Sequence, residues 1–290
     1  MSGFIPDMWA SKCLGELKKR KNLFDLTDRS YETSVKSGGG SVTVPTMDSL
    51  VVQDETATEY TIKKTDNSQG SKILLDKKAV ITIGVGVIDE VQSSIPLMNR
   101  YTKKAGIKTG MSIDTRVAKE FISGSKPANR LKFSDLVANA NRHTKSTVNA
   151  VQEILNAVCD MDDRVMVVDP KGYKDLGDVA DFVDYQKIAY SVDKSPLLTG
   201  LIGAVYGFQV FLMPSLPLVD ETGVISATAE ENTKHIGIFY QKEAFATVIQ
   251  AMMKAKGTYD PKLGQDVVQL FTVFGAKLLE DDKAVVVRDN

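Results

Sequence analysis

Residues 94–122 read SIPLMNRYTKKAGIKTGMSIDTRVAKEFI, and how this stretch folds decides how the rest of the chain is attached. Ile95, Met98, Tyr101, Ala105, Lys108, Met111, Ala118 and Phe121 recur at three- and four-residue spacing. That spacing gathers the apolar ones on one helical stripe and turns Arg100, Lys103, Lys104, Arg116 and Lys119 onto other faces. Ser93 or Ser94 is positioned to cap the N-terminus, and Pro96 falls in the first turn, where a missing N–H costs little. At about 1.5 Å per residue such a helix reaches on the order of 40 Å, the width of a small domain. Gly106 and Gly110 each cost roughly 1 kcal/mol of helix propensity relative to alanine. The sequence therefore predicts a bend or close packing there, or two shorter helices joined near Gly110.

Around this helix the composition permits one large domain or two medium ones. The chain has 290 residues, of which 43% are hydrophobic, enough for an ordered core. Lys and Arg total 36 against 37 for Asp and Glu, a net charge of -1, which argues against a general polyanion-binding surface. Lys18, Lys19, Arg20 and Lys21 form the clearest charge run, suited to nucleic acid, to an acidic neighbour or simply to solvent. The 2 cysteines, Cys13 and Cys159, define neither a disulfide scaffold nor a zinc knuckle. The first twenty residues hold no long apolar run, so neither a signal peptide nor a membrane anchor is expected.

Residues 4 to 23 carry Phe4, Ile5, Met8, Trp9, Cys13, Leu14 and Leu17 at helical spacing, an amphipathic arm with Pro6 and Asp7 at its start. Gly38, Gly39 and Gly40 then open an extended segment with Val42 and Val44 on one face, continued by Val51 and Val52. Tyr60 and Ile62 read as the return strand, and Lys63 to Ser71 as a polar tip or loop. Ala79, Ile81, Ile83, Val85 and Val87 alternate along a stronger strand. Leu136 to Val158 predicts one or two helices, Arg164 to Asp169 a strand, and Pro170 the start of a short helix. Phe208 to Met213 and His235 to Tyr240 read as strands, Lys242 to Lys254 as a helix, and Val267 to Phe274 and Ala284 to Val287 as closing strands. No internal repeat is visible.

Signals for chemistry are weak. His143 and His235 lack a metal-ligand spacing, and His235 reads as a strand-start residue. Neither a G-x-S-x-G elbow nor a Walker loop is present. Gly84-Val85-Gly86 followed by Asp89 is a fragment of a dinucleotide fingerprint without its third glycine. Asp160, Asp162, Asp163 and Asp169 suit a hard cation or, more cheaply, a solvated turn. No cofactor or metal and no catalytic residue is expected. The rival reading is a soluble α/β enzyme with Asp169 or Tyr173 at a strand end.

The order of these elements resembles the major capsid proteins of tailed bacteriophages, with their HK97-type fold. The resemblance rests on FIPDMWASKCLGELKKRKNLFDLTDRSYE (4–32), GGGSVTVP (38–45), SSIPLMNRYTKKAGIKTGMSIDTRVAKEFI (93–122), RVMVVDPKGYKDL (164–176), LIGAVYGFQVFLMPSLP (201–217), HIGIFYQKEAFA (235–246) and VQLFTVFGAKLL (268–279). It implies an α+β fold with an N-terminal arm (1–39), an extended β-hairpin or E-loop (40–82), a peripheral domain with a spine helix (83–127), an axial domain (128–235) and a return to the peripheral domain (236–290). It also implies hexamers and pentamers of the chain closing into an icosahedral head in the host cytoplasm. The implied partners are a separate scaffolding protein, a portal, a decoration protein and packaged double-stranded DNA held by weak non-specific contact, with no membrane. In that layout Phe4, Ile5, Trp9 and Leu17 of the arm, and Val42, Val44, Tyr60, Ile62, Lys63 and Lys64 of the E-loop, are the expected subunit contacts. Some family members cross-link a lysine to an asparagine, and no such pair can be assigned here. A tail-tube or decoration component is the alternative structural role.

Overall fold

The computed structural model describes residues 6–19, 22–35, 39–44, 70–86, 97–138, 140–177, 201–262 and 264–290. An arm helix, α1 (Pro6–Lys18), leads through two 3-10 turns (Leu23–Leu26 and Ser30–Val35) to a pair of short strands, β1 (Ser41–Val44) and β2 (Ser71–Leu74). These pair antiparallel, Val42 opposite Ile73. β3 (Lys77–Gly86) follows, then the spine helix α2 (Leu97–Gly124), β4 (Arg130–Lys132), α3 (Lys145–Asn156), β5 (Arg164–Val168) and α4 (Pro170–Gly177). β6 (Leu201–Val205), β7 (Phe208–Leu212), β8 (Ile236–Gln241), β9 (Phe245–Asp260), β10 (Gln265–Leu278) and β11 (Ala284–Arg288) complete the chain.

The strands form two larger sheets besides the ribbon. One is three-stranded, β3-β10-β9, and wholly antiparallel; the other is six-stranded in the order β4-β11-β8-β5-β7-β6 and mixed. β6 and β7 meet at Tyr206 and Gly207, both with positive φ (48° and 83°), the signature of a two-residue primed turn that only glycine or a tolerant residue enters readily. The pairing interleaves the two sheets along the chain. β8 and β11 belong to the sheet built from residues 130–212, whereas β9 and β10 pair with β3.

The spine is one continuous helix across Gly106 and Gly110. Its buried face is Thr102, Ala105, Thr109, Ile113, Asp114, Val117, Ala118, Phe121 and Ile122, whereas Tyr101 is 41% exposed. The stripe is thus rotated from the one counted on large apolar residues, because its N-terminal half is lined by small groups. The C-terminal half packs on the three-stranded sheet, in one core with Ala79, Ile83, Val268, Leu270 and Phe274. The strand Ala79 to Gly86 alternates as its sequence implies, with Ala79 and Ile83 buried and Val80 outward.

Lys242 to Lys254 is not a helix. After a 3-10 turn (Lys242–Ala244) the chain enters β9, whose register runs Phe245 opposite Leu278 to Asp260 opposite Gln265. Phe245, Ala246, Thr247 and Val248 are all buried, because the first part of this strand is covered on both faces, and that erases the alternation by which a strand is recognised. Alanine, lysine, methionine and glutamine favour helix locally, and pairing with β10 overrides them. A register shift beside Met253, whose φ is 51°, bends the strand near its middle.

The glycines of the spine and arm provide a paired test. A Cβ on Gly106 would lie 2.8 Å from the Cys13 carbonyl oxygen and 2.9 Å from the Glu16 Cβ, whereas one on Gly15 meets nothing within 4 Å. Gly15→Ala should therefore stabilise the fold by about 1 kcal/mol in urea denaturation, as helix propensity alone dictates. Gly106→Ala should instead destabilise it by about 1–3 kcal/mol, the overpacking cost exceeding the propensity gain.

Candidate functional site

The arm helix α1 and the ribbon β1–β2 are both held to the body of this protein by buried side chains. α1 turns Trp9, Cys13 and Leu17, at four-residue spacing, onto the spine, where they are 4%, 0% and 2% exposed. Gly106 admits the α1 backbone, and Gly110 faces the Asn22 side chain, whose Oδ1 would lie 2.8 Å from an added Cβ. The turn after α1 is fastened by polar groups. Asn22 Nδ2 donates to the Leu17 carbonyl (3.2 Å), and the Leu23 N–H donates to Asp114 Oδ1 (2.7 Å), a buried carboxylate on the spine. Farther on, the Asp28 N–H donates to the Phe245 carbonyl (2.9 Å), and the Thr247 N–H donates to that of Asp28 (3.0 Å). Burial and the nearby Glu16 push the Cys13 thiol up to about 11, so it stays a protonated, unreactive core group.

The ribbon is bolted down at its base. Val42, Val44 and Ile73 share one face and are buried with Val35, Leu75, Ala246 and Val248. Gly275 on β10 lets the Leu74 carbonyl and the Ile73 side chain come close, and the Leu75 N–H donates to the Gly40 carbonyl (3.0 Å). On the opposite face Leu74 is 56% exposed and Lys72 lies in solvent. Lys77 pairs with Glu120 of the spine at 2.9 Å.

The expected contact residues thus divide. Trp9, Leu17, Val42 and Val44 are buried inside their own subunit, which leaves them little side-chain surface for a neighbour: they hold arm and ribbon to the body. Phe4, Ile5, Tyr60, Ile62, Lys63 and Lys64 lie outside the described residues, as do Ser93, Ser94 and Pro96. The return strand that is described is Ser71–Leu74. Among the described residues of the ribbon Leu74 is the exposed large apolar group, and alternation through Ile73 is the sequence signal for it.

The groups suited to chemistry are occupied structurally. Asp169 follows β5, where its Oδ1 accepts from the Gly172 N–H (2.8 Å) at the start of α4 and its Oδ2 contacts His235 Nδ1. His143 is enclosed edge-on against Phe133 (centroids 4.7 Å apart), in a slot that side chains on Gly172 or Gly237 would fill. Burial lowers its pKa from 6.5 to about 4. Gly84 and Gly86 are paired in the β3–β10 ladder opposite Val267 and Gln265, Gly86 at its end, not in a phosphate loop. Asp160, Asp162 and Asp163 precede β5 and Asp169 follows it, so the four do not converge, and no cluster of metal-ligating side chains occurs among the described residues.

Among solved structures, the chain is similar to one from Mycobacterium phage Che8, at 19% identity and a TM-score of 0.65 over 92% of this chain and 91% of that one. It is also similar to the capsid of cyanophage P-SCSP1u, at 18% identity and a TM-score of 0.61 over 93% and 88%. The chain has the HK97-type capsid fold. A virus-like particle from Pyrococcus furiosus is a further neighbour, at 11% identity and a TM-score of 0.56 over 97% and 98%. No family model and no curated protein sequence matches the chain. Within this capsid fold, α1 is the arm, β1 and β2 are the base of the extended hairpin, and α2 is the spine.

The buried imidazole gives the fold a pH dependence of known sign. Unfolded, His143 takes up a proton below about 6.5; folded, it resists until about 4. Its contribution to stability is complete above 6.5 and is lost as pH falls through that window, by about 3 kcal/mol. Urea unfolding between pH 4 and 7 should show this fall, and His143→Gln should flatten it.

Proposed function

We propose that this protein is the major capsid protein of a tailed phage, assembling as pentamers and hexamers into an icosahedral head around double-stranded DNA. What carries the reading is the likeness to solved phage structures, one of them a capsid, over more than nine-tenths of this chain. The physical arrangement supports it. The body holds an arm and a ribbon whose inner faces are buried and whose outer face leaves Leu74 56% exposed, without cover among the described residues. Such groups are liabilities on a monomer and assets between copies. A scaffolding protein, a portal and a decoration protein are the proposed further partners, the virion capsid the location, and assembly takes place in the host cytoplasm. No catalysis is proposed, since the Asp169 carboxylate and the His143 ring serve as structural ties.

A protein cage without a genome is the second reading, favoured by the likeness to the virus-like particle over 97% of this chain. Electron microscopy of the purified protein separates these from an enzyme: closed shells are expected, and a uniform population of monomers would sink the capsid reading. Nuclease-protected duplex DNA in particles isolated from the producing host distinguishes a head from an empty cage.

Folding and assembly are separable by mutation. Trp9→Ala should cost about 3–5 kcal/mol of subunit stability, as expected for a buried aromatic, and reduce shells in proportion to the folded fraction. Leu74→Asp should leave the melting temperature nearly unchanged and cut shell yield severalfold, measured by sedimentation and particle counts.

A further inference from the structure

Two surfaces of this chain carry charge that finds no ion-pair partner among the described residues. The first is the outer face of the spine. Arg100, Lys103, Lys104 and Lys108 are exposed, lie within about 12 Å along the axis, and make no ion pair among the described residues. The helix has no acidic residue in its first turn, Arg100 sits near the positive end of the macrodipole, and Arg100, Lys104 and Lys108 repeat at four-residue spacing as like charges. This pattern destabilises an isolated helix. Tyr101 and Ile107, 41% and 39% exposed, lie among these charges, which gives the face the mixed basic and apolar character of a protein contact rather than a bare phosphate-binding stripe.

The second surface is a cleft of about 370 Å³ between the end of α3 and the end of β8, lined by Asn156, Val158, Cys159, Asp160, Gln241, Glu243 and Lys283. Lys283 is paired with Glu280 at 2.7 Å, whereas Asp160 and Glu243 have no ion-pair partner among the described residues. Gln241 is nine-tenths buried in this wall, and its Oε1 lacks a hydrogen-bond partner. The helix end adds its negative dipole. The rim continues through exposed Met161, Asp162 and Asp163, so the mouth is acidic with two apolar groups, Val158 and Met161, 46% and 56% exposed. The buried Arg164 guanidinium already takes the Asp160 and Cys159 carbonyls and Asn156 Oδ1, so the Asp160 and Glu243 carboxylates and Gln241 Oε1 are what the cleft offers the head of a lysine or arginine whose alkyl stem lies on Val158 and Met161.

We infer that these surfaces answer each other between copies: the basic face of one spine helix docks in the α3–β8 cleft of a second copy. The contact rests on the self-assembly proposed above and supplies one of its interfaces. It is heterologous, since two different patches of one chain meet, and so propagates around a ring or across a shell. Opposite charges set its register and salt sensitivity.

A charge swap tests it, read as self-association by sedimentation velocity at low and high salt, with melting temperatures as the control for folding. Lys104→Glu with Lys108→Glu, and separately Asp160→Lys with Asp162→Lys, should each raise the half-assembly concentration about tenfold or more without lowering the melting temperature. The chain carrying all these reversals should regain wild-type association. Either pair leaving association unchanged, or the full swap failing to restore it, overturns the contact. So does a spine variant that assembles normally while losing retention on a short DNA duplex, which would assign the basic face to a polyanion. Wild-type protein that associates into rings or tubes sensitive to both swaps upholds the contact and overturns only the closed shell; protein monomeric at every concentration overturns both.

Discussion

The close crossing of the arm helix over Gly106 is the constraint on which the rest of this structure depends. A side chain there would press on the Cys13 carbonyl and the Glu16 Cβ, so the α1 backbone can reach the spine only across a bare Cα. The small residues beside it, Ala105 and Thr102, extend the same shallow groove. Trp9, Cys13 and Leu17 fill it from above, and Asn22 with Asp114 locks the turn that follows. Because the arm comes first in the chain and the spine more than eighty residues later, this contact forms only after a long loop closes. Without it the arm would keep a wet tryptophan and the spine an exposed groove.

The other half of the spine performs a different task. The chain passes from the six-stranded sheet to the three-stranded one between Gln241 and Phe245, and returns between Leu278 and Ala284. Phe121 of the spine lies against both sides of that passage, its ring 5.2 Å from those of Tyr240 and Phe245. The Tyr240 hydroxyl donates to the Leu26 carbonyl at 3.3 Å, which ties the end of the arm turn to the same point. Full burial keeps that phenol neutral. One helix therefore holds the arm with its small residues and the sheet junction with its large ones.

Much of this was legible in the sequence where periodicity and burial agree. The spine, the strand from Ala79, the strand Arg164 to Val168 and the closing strands all carry one buried face or a short apolar run bounded by turn residues. The spine's buried face was misread by about one position because Thr102, Gly106, Thr109 and Gly110 count as polar or breaking residues, although a close helix crossing needs that kind of residue. β9 was misread because burial on both faces and helix-favouring residues hid its period. The site was less legible than the fold. Whether Trp9 or Val42 faces its own subunit or another cannot be read from amphipathicity, which states only that a face is apolar, not what covers it. Leu74 was overlooked for the converse reason, as a lone apolar residue on the polar side of a strand.

A net charge of -1 conceals a strongly uneven distribution. Many of the charges that pair do so within the subunit, Arg29 with Asp25 and Glu32 along the chain, and Lys126 with Asp281 and Asp282 and Lys171 with Asp289 across the fold. These exposed or half-exposed pairs contribute little stability each and mainly fix turns and chain ends. The histidines and Asp169 are likewise absorbed, into the slot against Phe133 and the start of α4. Once those groups are accounted for, exposed charges without an ion pair among the described residues include the spine's outer face and the loop before β5, besides Lys254, Lys256 and Lys262 near the β9–β10 turn. A chain under no constraint but its own folding gains nothing from like charges at four-residue spacing on one helix. Their cost falls when a second surface of opposite sign is present, which is what the proposed contact between copies would supply.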